Sequence, residues 1–318
     1  MKLFEHKEFQ EVIIRTAAST GVSEQFVEKD YYITEILRIV AGLHGDRTIF
    51  KGGTSLSKGW KLTARFSEDI DLFIDPSGFD PPLGEKRIDR TLEELAKEVS
   101  QYPALTWLED GREKHKGKDR SDNFGYETLF DELPGISPTV LLEPGIQSGD
   151  FPIEVKSITS LVADFLRDQE RLEMADDLEP FSMTLLHFRR TFVEKLFTIH
   201  GKVMRLLEDE EPLGRDARHY ADLHMLAGLP EVRDMLASVE FAKIRDDCDE
   251  KSQTFYKKFY RPPDGLSFHD SQALFPPDDL RERIVVDYER ECGRLFPGGE
   301  YPSFSSVIGR FQEIRDLL

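Results

Sequence analysis

Two aspartates stand two positions apart at the start of an apolar run, and this feature constrains the chain most. Asp69 and Asp71 frame Ile70, and the run continues through residues 72–74. If residues 70–74 form a strand, alternate side chains share a face, so Asp69 and Asp71 point the same way. Two carboxylates on one face of a buried strand repel each other and lose hydration. A divalent cation relieves both costs, so the pattern predicts a metal site of the kind that Mg²⁺ occupies with phosphate oxygens.

A polar loop with a glycine pair precedes the aspartates. It consists of Gly52, Gly53, Thr54 and Ser55. We expect a strand over residues 48–51 before the loop and a helix over 55–60 after it. Glycine N–H groups can approach phosphate oxygens closely, and the start of a helix attracts negative charge. Thr54 and Ser55 could cap the helix or bond phosphate, and Lys58 could reach a phosphate or a nearby acid. The loop therefore predicts a triphosphate site.

Each of these features alone has a simpler reading. A glycine pair is most often a turn, and an Asp-x-Asp pair is most often a solvated loop or a strand edge. Here the two follow in a defined order, from a strand to the glycine loop and then to aspartates that enter a second strand. This order favours one combined site for phosphate and metal.

Two segments carry a resemblance to a known family. Residues 50–58 read Phe-Lys-Gly-Gly-Thr-Ser-Leu-Ser-Lys, and residues 65–72 read Arg-Phe-Ser-Glu-Asp-Ile-Asp-Leu. Both resemble motifs of the AbiEii-type nucleotidyltransferase toxins, which belong to the DNA polymerase β-like nucleotidyltransferase superfamily. The resemblance implies catalytic, metal-binding roles for Asp69 and Asp71, with Mg²⁺ or alternatively Mn²⁺. The nucleotide-binding residues that it implies are Gly52, Gly53, Thr54, Ser55, Lys58, Arg65 and Ser67.

The same superfamily resemblance implies a third acid after the Asp-x-Asp pair. Glu143 directly follows the strand-like residues 138–142. We predict that it joins Asp69 and Asp71 as a catalytic and metal-binding residue. The alternative is an ordinary carboxylate at a strand end, and Glu127 and Glu154 are rival positions for the third acid.

Two later segments resemble further family motifs. Residues 190–195 resemble a third motif that contributes an active-site lysine, which implies that Lys195 contacts the nucleotide phosphates. Residues 218–223 resemble a fourth motif, Arg-x-x-x-Asp-Leu, in which Asp222 is the matched acid. The alternative for Lys195 is a surface lysine at the edge of an apolar face. The alternative for Asp222 is a structural pair with Arg218, one helical turn away.

The net charge of −19 on 318 residues argues against a non-specific binder of DNA or RNA, because an acidic surface repels phosphate backbones. An RNA partner would need a local basic patch, and two stretches qualify. The first is residues 112–120, for which a hydrated hairpin or loop tip is the alternative reading. The second contains Arg189, Arg190, Lys195, Lys202 and Arg205.

The hydrophobic pattern predicts an α+β protein. We expect a small mixed-sheet nucleotidyltransferase core with N-terminal helices over residues 1–160, and a mainly helical C-terminal domain over 161–318. Two N-terminal helices should meet at residues 19–21, with Ser23 as the cap of the second. Further helices are predicted at 88–102, 183–207 and 280–296, and strands at 105–108, 124–130, 139–142 and 153–155.

Composition indicates a cytoplasmic protein. The sequence has no apolar run long enough to span a bilayer, and its N-terminus lacks the apolar segment of a signal peptide. Cys248 and Cys292 form neither a disulfide framework nor a metal-binding spacing, so we expect free thiols.

The resemblance implies a function as well as a fold. It implies a toxin, paired with a cognate antitoxin encoded nearby, that transfers NMP from an NTP to RNA, with the tRNA 3′ end as the expected acceptor. A protein or small-molecule hydroxyl is the second hypothesis, which the acidity of the chain fits at least as well. A nucleotide-sensing protein without turnover is the third, but a pure binding module has no need for two repelling carboxylates.

Overall fold

The computed structural model describes residues 1–63, 65–131, 133, 136–296 and 299–318. These residues divide into two compact units. The first unit consists of Met1–Lys61 and Phe66–Leu185, and the second of Leu62–Arg65 and Leu186–Leu318. The division thus differs from the predicted boundary at residues 160 and 161, because a helix and a strand within 161–185 pack into the first unit.

The first unit combines helices with a sheet. Its helices are α1 (Phe9–Thr20), α2 (Glu24–His44), α3 (Gly52–Lys58), α4 (Glu85–Val99) and α5 (Leu161–Asp168). Its strands are β1 (Thr48–Lys51), β2 (Asp69–Ile74), β3 (Thr106–Trp107), β4 (Glu113–His115), β5 (Asp119–Gly125), β6 (Thr139–Gly145), β7 (Ile153–Ile158) and β8 (Phe181–Leu186). The first two helices separate at Gly21, which has a φ of +70°. Ser23 occupies the predicted cap position of α2, but its hydroxyl makes no capping hydrogen bond.

The strands form one mixed sheet in the order β3-β5-β6-β2-β1-β8-β7, and β4 pairs with β5. At the centre, β2 runs parallel to β6 and antiparallel to β1, and β1 runs parallel to β8. The prediction of an α+β fold with a mixed sheet is confirmed.

Alternation along β2 separates the hydrophobic core from the acidic residues. Ile70, Leu72 and Ile74 belong to the buried core, which also contains apolar residues of α1, α2, α4 and α5. Because side chains alternate along a strand, Asp69 and Asp71 lie on the opposite face from this core. Burial of the apolar face therefore fixes which way the carboxylates point.

Two strands differ from their predicted positions. The strand predicted at 124–130 is β5, which starts earlier because Arg120 and Asp122 are buried as a charged pair with an Nη2–Oδ1 distance of 2.8 Å. The first part of the helix predicted at 183–207 is β8, which pairs with β1. A short apolar run fits both a buried strand and a helix, and here the pairing with β1 decides.

The second unit is helical. Its helices are α6 (Phe188–Asp209), α7 (His219–Ala227), α8 (Pro230–Leu236), α9 (Val239–Phe255), α10 (Asp278–Leu295) and α11 (Phe304–Ile314). Aromatic rings join several of them, as in the contact of Tyr220 with Phe304, whose ring centroids lie 5.1 Å apart. Cys248 and Cys292 are buried as thiols. Within the described residues, no helix is both long and apolar enough to cross a bilayer.

Candidate active site

The register of the sheet brings three carboxylates to one face. Asp71 on β2 lies directly opposite Glu143 on β6, and Asp69 lies opposite Leu141. Since opposed residues of paired strands point to the same side, Asp69, Asp71 and Glu143 share the face that is turned away from the hydrophobic core. Of the two rival positions for the third acid, Glu127 follows β5 and Glu154 lies on β7, at the end of the strand order.

The environment of Glu143 disfavours a negative charge. Burial, together with the nearby carboxylates of Asp71 and Asp69, raises the pKa of Glu143 to about 7. Ser121 on β5 donates a hydrogen bond from its hydroxyl to Glu143 Oε1 at 3.1 Å. Ser121 was missed by the sequence reasoning, because its place beside Glu143 depends on the pairing of β5 with β6.

Gly52 lies against the carboxylate of Asp71. Its φ is +74°, and a β-carbon placed there would stand 2.0 Å from Asp71 Oδ2. Glycine has no β-carbon, and it is the one residue that adopts this backbone conformation without a steric penalty. Lys51, the preceding residue, is paired with Asp71 in the β1–β2 register. The glycine loop and the Asp-x-Asp pair therefore meet in the folded chain.

Gly52→Ala should lower the rate of nucleotidyl transfer strongly and reduce the free energy of unfolding only moderately. A left-handed residue with a β-carbon costs about 1–2 kcal/mol. The new methyl group would also displace the Asp71 carboxylate, and a shift of about 1 Å in a catalytic group can cost about 100-fold in rate. Nucleotidyl transfer and urea unfolding measure the two effects.

Gly21→Ala is the matched control, because Gly21 has a φ of +70° and open space at its β-carbon position. It should lose comparable stability and keep full activity. Equal loss of activity in both variants would show that Gly52 acts only through backbone conformation.

The other loop residues are held by contacts within the protein. The helix begins at Gly52 rather than at Ser55, and neither hydroxyl caps it. The Thr54 hydroxyl donates to the Asp69 carbonyl, and the Ser55 hydroxyl donates to the Gly52 carbonyl at 2.9 Å. Lys58 Nζ lies 2.6 Å from Asp30 Oδ1, a nearby acid of the kind that the sequence offered as one of its two partners.

The carboxylates do not form a complete metal cage. In the part of the chain that the structure describes, no three histidine, cysteine or acidic side chains converge closely enough to enclose an ion. The donor set still suits a hard cation, since carboxylate oxygens are the ligands that Mg²⁺ prefers and it fills the remaining positions with water and substrate phosphates. Burial raises the pKa of Glu143 most, and the carboxylates of Asp71 and Asp69 raise it further, so a cation at this face would relieve part of the cost.

The second unit contains a buried ionic network around Asp222. Arg65 donates from Nε to Asp222 Oδ1 at 2.6 Å and from Nη2 to Asp222 Oδ2 at 2.8 Å. Lys195 Nζ lies 2.9 Å from the same Oδ2. Burial opposes the ionised carboxylate, but Arg65 and Lys195 hold the pKa of Asp222 well below its usual range. Three residues assigned by separate sequence motifs are thus joined in one network.

Three further residues extend this network: His219 and Asp216, which were not predicted as site residues, and Lys202 of the second basic stretch. His219 Nδ1 lies 2.8 Å from Lys195 Nζ, and His219 Nε2 lies 3.5 Å from Asp216 Oδ1. Lys202 Nζ lies 2.6 Å from Asp216 Oδ2. Sequence spacing gave no signal for the His219–Lys195 contact, because the two residues come from different helices.

Both basic stretches have acids beside them. Residues 112–120 form the β4–β5 hairpin, in which Lys114 pairs with Asp89 and Lys116 with Glu85. In the second stretch, each cation has an acidic partner. The pairs are Arg189–Glu240, Arg190–Glu194, Lys195–Asp222, Lys202–Asp216 and Arg205–Glu211. Acids therefore compensate each named cation of the second stretch, and Lys114 and Lys116 of the first.

One solved structure shows a shared fold with this chain. MenT4, a nucleotidyltransferase toxin from Mycobacterium tuberculosis H37Rv, aligns over 97% of this chain and 88% of its own, with a TM-score of 0.55 and 14% identity. An H. pylori protein described as a nucleotidyltransferase aligns over 93% of this chain and 99% of its own, with a TM-score of 0.43 and 17% identity. No curated protein sequence matches the chain.

Family comparison identifies the chain. Residues 35–310 match the family described as the nucleotidyl transferase AbiEii toxin of type IV toxin–antitoxin systems. The match spans both sequence motifs at residues 50–72 and both later motifs. The chain therefore belongs to the AbiEii family of nucleotidyl transferase toxins.

Proposed function

We propose that this toxin transfers NMP from an NTP to an RNA acceptor in a reaction that depends on Mg²⁺ or Mn²⁺. The observation that carries the proposal is the meeting of the Asp71 carboxylate with Gly52, on the sheet face that also presents Asp69 and Glu143. A close backbone approach beside clustered carboxylates suits a metal-bound triphosphate.

Asp69 and Asp71 would hold the cation, with Glu143 beside them. When bound, the cation would neutralise charge on the phosphates and on the carboxylates themselves.

The protein groups would bind and orient the reactants. The N–H groups of Gly52 and Gly53 would contact the triphosphate. The hydroxyls of Thr54 and Ser55 would do so by exchanging their bonds to the Asp69 and Gly52 carbonyls for bonds to phosphate oxygens. The acceptor oxygen would bond to the α-phosphorus, and the bond to the bridging oxygen would break to release pyrophosphate. Glu143 would accept the hydroxyl proton at Oε2, because Oε1 already accepts from Ser121.

The proposal also names the acceptor of the nucleotide and the protein partner of the toxin. A tRNA 3′ end is the acceptor that we favour, and a cognate antitoxin would accompany the toxin, as its family implies. The net charge of −19 and the paired basic stretches favour the second candidate, a protein or small-molecule hydroxyl. The NTP could be any of the four, because no described contact selects a base.

Transfer to tRNA can be tested directly. We expect purified protein with one labelled NTP, Mg²⁺ and total tRNA to label the tRNA, and a chelator to abolish the signal until Mg²⁺ is restored. Each NTP should be tested in turn, beside an Asp69→Asn/Asp71→Asn variant. Label on protein would move the acceptor to the second candidate. Activity that persists in the chelator would contradict metal dependence.

A further inference from the structure

A third basic segment lies at the end of α9. Residues 256–261 read Tyr-Lys-Lys-Phe-Tyr-Arg, so this stretch has three cations, three aromatic rings and no acid in a chain of net charge −19. Helix α9 ends at Phe255, and the chain then turns, with the Phe259 N–H donating to the Tyr256 carbonyl at 2.7 Å. Residues 256–259 are named the turn segment here. Its four side chains are all exposed: Tyr256, Lys257, Lys258 and Phe259.

The two residues after the turn segment anchor it within the second unit. The Tyr260 hydroxyl donates to the Asp249 carboxylate and accepts from Gln253 Nε2 at 3.1 Å. Arg261 Nε donates to Glu208 Oε2 at 2.7 Å. Asp249 and Gln253 lie on α9, whereas Glu208 lies on α6. The exposed side chains therefore project from a turn that two helices hold.

The aromatic rings of the turn segment stand beside cations. Phe259 is 45% exposed and Tyr256 is 43% exposed. The guanidinium carbon of Arg205 lies 4.9 Å from the centroid of the Phe259 ring, and Lys258 Nζ lies 5.3 Å from it. Proteins bind unpaired nucleotides with this combination, because a base stacks on an exposed ring while nearby cations attract the phosphates.

The lysines of the turn segment differ from the neighbouring arginines. Arg205 pairs with Glu211 and Arg261 pairs with Glu208, so acids compensate both arginines. Lys257 and Lys258, in contrast, form no ion pair with any residue that the structure describes. Because the two glutamates repel phosphate, the lysines are the cations that a nucleic-acid backbone would contact.

We propose that the turn segment binds unpaired nucleotides of the RNA acceptor, with bases stacked on Phe259 and Tyr256 and phosphates beside Lys257 and Lys258. This inference rests on the proposed function, in which the acceptor is RNA. The turn segment supplies the local basic patch that an RNA partner of so acidic a chain needs. The bases of a duplex stay stacked on one another, so the segment selects single-stranded RNA.

Binding can be measured without the reaction. The probe is a fluorescein-labelled single-stranded oligoribonucleotide of about 12 nucleotides, a length within the site sizes of single-strand binders. Anisotropy is read without NTP or metal. Phe259→Ala should weaken binding about tenfold, the effect of losing one stacking partner, and Phe259→Tyr should keep the wild-type Kd because it keeps the ring. Phe151→Ala is the matched control, since Phe151 is 52% exposed but belongs to the first unit and follows Asp150. Its Kd should equal that of the wild type.

The salt dependence of binding tests the lysines. Lys257→Gln/Lys258→Gln should reduce the slope of log Kobs against log salt concentration by about 1.4, because a single strand contributes about 0.7 for each neutralised phosphate. Lys86→Gln/Lys243→Gln is the matched control, since both lysines are exposed outside the turn segment and their loss changes the net charge equally. It should leave the slope unchanged. Equal slopes in the two double variants would overturn the proposal.

Two competitors test the class of ligand. A duplex of the same RNA should bind about tenfold more weakly than the single strand, because its bases cannot stack on the exposed rings. Poly-L-glutamate carries negative charge without bases and should not displace the RNA. If it displaces the RNA, and Phe259→Ala binds RNA like the wild type, the segment binds acidic polypeptides and the proposal is overturned.

Kinetics separate this inference from the proposed function. In a protein that labels tRNA, Phe259→Ala should raise KM for tRNA about tenfold and leave kcat and KM for NTP unaltered, since it removes binding and not chemistry. Labelling of tRNA with an unaltered KM for tRNA would overturn the inference and leave the proposed function intact. RNA binding that depends on Phe259, in a protein that labels no RNA, would refute the proposed function and support the binding segment.

Discussion

Replacing Asp71 by asparagine should reduce nucleotidyl transfer by about 100-fold or more and leave the protein folded. The amide keeps the shape of the side chain but loses the charge with which the carboxylate would hold a cation. The change also removes one source of the raised pKa of Glu143, which burial, Asp71 and Asp69 produce together. Asp69→Asn should behave in the same way. Rates of label transfer, measured beside urea unfolding, give both quantities.

The free energy of unfolding of the variants distinguishes a functional from a structural role for Asp69 and Asp71. If they serve a cation, each asparagine variant should change the free energy of unfolding by about 1 kcal/mol or less, as at sites outside the core. Asp75→Asn is the matched control, because Asp75 follows the same strand and its Oδ1 accepts from the Ser77 N–H at 2.9 Å. It should retain activity. An Asp71→Asn protein that unfolds would count against the metal site.

Strand periodicity was enough to predict the acidic face. Because Ile70, Leu72 and Ile74 had to enter the core, Asp69 and Asp71 had to face the other way. The glycine pair was predictable as the end of a buried strand, although it forms the first turn of α3 and not a loop before that helix. The prediction that Glu143 lies on a neighbouring strand is confirmed, although no observation yet tests its catalytic role.

What the sequence could not show depends on contacts between distant segments. Ser121 reaches Glu143 only through the pairing of β5 with β6, and Arg65 reaches Asp222 across 157 positions of sequence. Helical spacing offered a structural pair of Arg218 with Asp222 only as an alternative, and the observed bidentate partner of Asp222 is Arg65. Strand β8 was read as helix because its pairing with β1 is also non-local. Local patterns carry no information on such pairings.

Asp222→Asn should destabilise the protein by about 3–5 kcal/mol, the cost of removing one partner from a buried ionic group. The side chain of Arg65 is buried and would keep its charge without the carboxylate that compensates it, and the buried ammonium of Lys195 would lose the group that supports its charge. The pKa of Asp222 is held well below its usual range, so its contribution is present above the unfolded pKa of about 3.9 and is lost only as the pH falls towards the folded value. Urea unfolding at neutral pH measures the loss.

Asp234→Asn provides the comparison, because Asp234 is exposed on α8 of the same unit and should cost about 0.5 kcal/mol or less. A loss of similar size in Asp222→Asn would contradict the buried network. A triple variant, Arg65→Met/Asp222→Leu/Lys195→Met, removes every charge of the trio and should recover much of the stability, since apolar groups can replace buried ion pairs. If that variant folds but transfers no nucleotide, the network serves the reaction. If it folds and transfers normally, Asp222 and Lys195 hold the second unit together and nothing more.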